Sequence, residues 1–114
     1  MASSFETSDS NSGEFQRPMK VASRREHIFV AAKEMAVDMK GWQLDQSDED
    51  AMVLHCTKKG GALGGTSKIT VTVEGSVEVP STTVNCKCET EGGLMARPKA
   101  TVEEFMKLLF RRVC

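Results

Sequence analysis

Two stretches of this chain repeat apolar residues at helical spacing, and four shorter stretches between them alternate apolar with polar positions. Ile28, Ala32, Met35 and Met39 fall on one helical face, and Phe29 and Ala36 widen it. Gly41 stands where helices end in a left-handed residue. Ahead of the stripe, Ser23-Arg24-Arg25-Glu26 has the form of a capping box, in which the serine hydroxyl accepts from the N–H of Glu26 and the carboxylate reaches back. The spacing predicts a helix over about Arg24 to Lys40, with Trp42 packing back on Val37. Near the other end, Val102, Phe105, Met106, Leu109 and Val113 make a second stripe, broadened by Leu108 and Phe110, behind a second capping box at Thr101-Val102-Glu103-Glu104.

The alternating stretches read as strands. Trp42 and Leu44 point inward in the first, and Met52, Leu54 and Cys56 share one face of the second, Ala51 to Lys58, opposite Val53, His55 and Thr57. Ile69, Val71 and Val73 are inward in the third, with Lys68, Thr70, Thr72 and Glu74 outward. The fourth, Thr82 to Glu89, turns Val84, Cys86 and Cys88 inward. Such alternation covers one sheet face and leaves the other wet. Short connections favour a meander. The expected fold is therefore α+β in two layers: order α-β-β-β-β-α, a four-stranded antiparallel meander sheet with two helices packed on one face. Residues 1–20 are rich in serine with Phe5 and Phe15 isolated, and are read as a disordered tail. Residues 21–114 are read as a single domain.

Composition narrows the function classes. The chain is 39% hydrophobic and 27% charged over 114 residues, which suits one domain with a modest core. A net charge of -1 argues against a dedicated nucleic-acid binder, which carries a basic excess for phosphates. No apolar run approaches the roughly 20 residues of a membrane-spanning helix, and the first residues lack a signal-peptide pattern, so a cytoplasmic protein is expected. Four cysteines at this density suit reduced thiols rather than a disulfide scaffold. Cys114, as the last residue, does not fit the prenylation pattern.

The candidate chemistry is sparse. Gly60-Gly61-Ala62-Leu63-Gly64-Gly65-Thr66-Ser67 has the look of a phosphate loop, but the lysine before the hydroxyl is missing and a strand follows instead of a helix. What remains is a hairpin tip flanked by Lys58, Lys59 and Lys68, which with Arg97 and Lys99 forms a candidate anion-binding patch. Cys86 and Cys88 lie two apart on a strand, poorly splayed for one metal ion, and with Cys56 they read as core residues. His55 faces away from Cys56, which weakens a nucleophilic pair. His27 has no partner identifiable from sequence, and Asp48-Glu49-Asp50 reads as a solvated turn. No catalytic constellation, metal site or cofactor motif emerges.

The element order, Gly41-Trp42 after the first helix and the Lys58 to Lys68 loop resemble small uncharacterised α-β4-α domains found alone in bacterial proteins. They are also similar in layout to the kinase-associated C-terminal domain, a family whose members bind acidic phospholipids or regulate an attached kinase. That resemblance implies regulation between chains or binding to an anionic surface, and carries over no residue role. The reading from sequence is a small non-enzymatic binding or regulatory module, a monomer or weak dimer whose partner is a protein or an anionic ligand. Two alternatives stand beside it: a peripheral binder of anionic lipid or ligand through the Lys58–Lys68 loop, and a small-ligand carrier or enzyme with its site on the open sheet face.

Overall fold

The alternating stretches form one antiparallel sheet in the computed structural model, which describes residues 2–59, 65–75, 78–91 and 97–113. In chain order the elements are β1 (Ala2–Glu6), β2 (Met19–Val21), α1 (Arg25–Asp38), β3 (Trp42–Asp48), β4 (Val53–Lys59), β5 (Thr66–Gly75), β6 (Thr82–Glu91) and α2 (Pro98–Val113). The spatial order is β1-β6-β5-β4-β3, with β2 also paired to β6. Residues from both helices and from one face of the sheet share a single core. Ile28, Leu54, Ile69, Phe105 and Leu109 are at most 1% exposed, and burying each contributes about 1.5–3 kcal/mol.

The sheet has six strands rather than the expected four, because the segment read as a disordered tail supplies two of them. Ala2 to Glu6 pair with Glu91 to Lys87, and Met19 to Val21 pair with Val84 to Thr82. β1 and β2 thus form one interrupted edge strand along β6. At the break Thr7 keeps the ladder going. Its N–H donates to the Cys86 carbonyl at 3.0 Å, and its hydroxyl accepts the Cys86 N–H at 3.0 Å. The excursion from Ser8 to Pro18 contains a 3-10 turn at Glu14–Gln16, which docks on α2: the Phe15 and Phe110 rings meet edge-on at 6.0 Å, and Gln16 Nε2 donates to Glu103 Oε2 at 3.3 Å. The missed strands have a physical explanation. Phe5 and Met19 are too isolated to show a period, and backbone pairing with β6 supplies what local pattern does not.

Neither capping box forms. α1 begins one residue later, with Arg24 at the N-cap and no side-chain cap, while the Ser23 carbonyl accepts from Thr82 Oγ1 at 2.6 Å. α2 begins earlier, at Pro98, where a missing N–H costs nothing. Thr101 therefore lies inside the helix, its hydroxyl bonded back to the Arg97 carbonyl at 3.1 Å. Gly41 does adopt the positive φ of 83°, and Trp42 N–H closes that turn on the Met39 carbonyl at 3.1 Å. Trp42 leaves Val37 62% exposed and stacks instead on Phe105, ring centroids 5.5 Å apart. Leu108 and Phe110 are exposed rather than part of the α2 stripe. Met52, expected inward on a strand, is the last residue of the turn before β4, at φ 58°, half-buried against the core.

Candidate functional site

The open face of the sheet is set by the same alternation that builds the core. Across β3, β4, β5 and β6 the register aligns Gln43, Thr57, Lys68 and Glu89 in one row, and Gln46, His55, Thr70 and Lys87 in the next. Threonine suits these positions because its branched Cβ favours the strand while its hydroxyl stays available to water or a ligand. Between the two rows β3 bulges, the register slipping between Leu44 and Gln46. The extra residue is Asp45. Its carboxylate accepts from the Thr57 hydroxyl and, at 3.1 Å, from Gln43 Nε2, so the bulge re-aims a charge over the neighbouring strand.

The result is a trough of about 420 Å³ running across four strands. Asp45 stands on the β3 side, Glu89 and Glu91 on the β6 side, and His55, Lys68, Thr66 and Thr70 lie between. A smaller hollow of about 120 Å³ continues along the face past Thr70 to Thr72, Asn85, Lys87 and Glu6. Lys87 pairs with Glu89 at 3.5 Å, an exposed contact of small worth. The His55 side chain makes no hydrogen bond to another described residue.

The opposite face holds the thiols. Burial pushes Cys56 up to about 11, and the negative charge of Asp45 adds to the rise. Cys86 is raised further, by burial first and then by its neighbours Cys88 and Cys56. Burial also raises Cys88, against hydrogen bonds from Thr90 and Ser67 that partly offset it. These thiols stay protonated and poorly nucleophilic at neutral pH. The reading of Cys56, Cys86 and Cys88 as core residues agrees with their burial.

The five cations of the candidate anion patch do not share one surface. Lys58 turns to the helix side, its Nζ 3.3 Å from Glu104 Oε2 and 6.0 Å from the Trp42 ring centroid. Lys68 lies on the open face, in the trough, and Lys59 is exposed at the end of β4 on the alternation that serves the same face. Arg97 and Lys99 are exposed at the start of α2. The glycine tip between β4 and β5, residues 60–64, lies outside the described residues. His27 is exposed on the first turn of α1, away from the trough residues in the fold. Sequence alternation already turned His55, Lys68, Thr70 and Glu89 outward. Alternation also sets Asp45 opposite the inward Trp42 and Leu44, but it does not show the bulge, which brings Gln46 to the open face as well.

Comparison with protein families and with curated proteins finds no match to this chain.

Proposed function

We propose that this chain is a small binding module whose ligand site is the polar trough on the open sheet face. The observation that carries the reading is the trough itself: a concavity of about 420 Å³, within the range of small-molecule sites, lined mainly by hydrogen-bonding and charged groups, with Cys56 and Ile69 at its base. Its walls carry three carboxylates, Asp45, Glu89 and Glu91, against one lysine, Lys68, with Lys87 of the adjoining hollow 3.5 Å from Glu89. The ligand class that fits is a small polar molecule with positively charged groups, its ends set toward β3 and β6 and its middle over the threonine hydroxyls. The reading through an anionic surface is the weaker one, since Lys58 is already held by Glu104.

Titration of labelled protein with spermidine, followed by amide chemical shifts, tests this. Shifts concentrated at His55, Lys68, Thr70 and Glu89, weakened at least about tenfold in affinity by Glu89→Gln with Glu91→Gln, are expected. No shifts there, or shifts at Lys59, Arg97 and Lys99 with inorganic phosphate instead, would overturn it.

A further inference from the structure

Away from the trough, the helix layer carries most of the exposed large apolar side chains of the described residues. Val30 is 50% exposed, Val37 62% and Leu108 37%. Val30 and Val37 are seven residues apart on α1 and so share its outer face. Between the C-terminal halves of α1 and α2 runs a groove of about 330 Å³ lined by Met35, Met39 and Leu108 and by Asp38, Arg111 and Arg112; Val37, next in sequence to Asp38, projects from α1 outside it. The surface therefore presents a projecting valine next to an apolar hollow.

Charge on this surface is divided between the helices. On α1, Lys33 is tied to Glu49 at 2.8 Å, and Arg25 to its neighbour Glu26 at 3.5 Å, which leaves Glu34 and Asp38 as the prominent charges. On α2, Glu104 is tied to Lys58 at 3.3 Å, and Glu103 accepts from Gln16 at 3.3 Å, which leaves Lys107, Arg111 and Arg112. Arg112 also pairs with Glu34 and Asp38 within the chain, at 3.8 Å each, and both carboxylates remain more than 60% exposed and open to a second partner. One helix is acidic outside and the other basic.

We infer that the outer face of the two helices docks a second copy of this chain, each copy's Val37 seated in the groove between α1 and α2 of the other. A two-fold axis needs a patch that complements itself. Here it would bring α1 of one copy over α2 of the other twice, matching projection to hollow and acid to base both times. An acidic peptide would match α2 alone, and a basic one α1 alone. Only a second copy uses both halves.

Sedimentation equilibrium of the full chain from about 5 to about 500 µM tests the inference. The average mass is expected to rise toward that of a dimer, with the dissociation constant raised about tenfold or more by Val37→Glu. Asp38→Arg and Arg111→Asp should each weaken association, and the two together should restore much of it, because the swap rebuilds opposite charges across the axis. All three positions lie on the exposed face or the groove edge, and melting curves check that each variant folds. A chain that stays monomeric across the range overturns the inference, including one that meanwhile binds an acidic peptide or anionic vesicles through Arg111. So does a dimer indifferent to Val37→Glu and Asp38→Arg, or one that the double charge swap fails to restore.

Discussion

Leu54 and His55 are neighbours on β4 and live in different solvents. Leu54 is fully buried under the helices, opposite Val71 in the register, whereas His55 is exposed on the other face, opposite Thr70. The same contrast runs through β5 and β6, where Ile69, Val71, Val84 and Cys86 face the core while Lys68, Thr70, Asn85 and Lys87 face water. A sheet of this kind separates two tasks by a single backbone period. One face supplies the free energy of folding, and the other is left free to carry polar chemistry at little cost to it. The two classes of substitution should therefore differ by more than their chemistry suggests.

The largest effect belongs to the covered face. Leu54→Ala removes three carbons from a site that is 0% exposed, and should cost about 2–5 kcal/mol of unfolding free energy. Urea denaturation at neutral pH measures it as a lower midpoint with the slope little changed. For a domain of this size such a loss is a large share of total stability. An effect under about 1 kcal/mol would mean that the inner layer is not packed as described.

A smaller effect, on the same strand, comes from pH. Cys56 is buried beside Leu54's neighbours, and its thiol is pushed up to about 11 from the ordinary value of 9.0. The native state holds that proton while the unfolded chain gives it up. Native protein then binds more protons than unfolded protein, so stability falls as pH rises from about 9 through about 11. Below that window the contribution is fully present. Urea midpoints taken along it should drop more steeply for the wild type than for Cys56→Ala, the remaining slope in the variant coming from Cys86 and Cys88, whose thiols burial also raises. Parallel slopes for the two proteins would place the Cys56 thiol in contact with solvent.

Much of the covered face is legible in the sequence, and of the open face only which residues point outward. Ile28, Ala32, Val71, Phe105 and Leu109 announce themselves by period, because burial against a partner layer imposes one. The edge strands do not. β1 is held by backbone bonds to β6 and by one threonine that bonds twice to Cys86, and neither interaction selects a recurring residue type. The capping boxes misled for a related reason: tertiary contacts, the Thr82 hydroxyl on Ser23 and the Pro98 start of α2, outweighed terms worth about 1 kcal/mol. The trough needed register as well as pattern. Sequence turned His55, Lys68 and Glu89 to one side, but only the strand order places them in adjacent rows, and only the bulge at Asp45 closes the β3 wall. Adjacent residues on a strand face opposite ways, which puts Lys58 on the helix side and Lys59 on the other.

The smallest expected effect sharpens the contrast most. His55→Ala sits one residue from Leu54, yet its side chain is exposed and makes no hydrogen bond to another described residue. Its cost in unfolding free energy should stay within about 0.5 kcal/mol, as for other surface positions. Ligand binding gives the complementary measurement. If the trough is the site, the same substitution removes a floor group and weakens spermidine binding while the urea midpoint stays put; Leu54→Ala should do the reverse at denaturant concentrations where it remains folded. Should His55→Ala destabilise the fold as Leu54→Ala does, the open face is supporting structure, and the separation of tasks between the two faces fails at the strand that defines it.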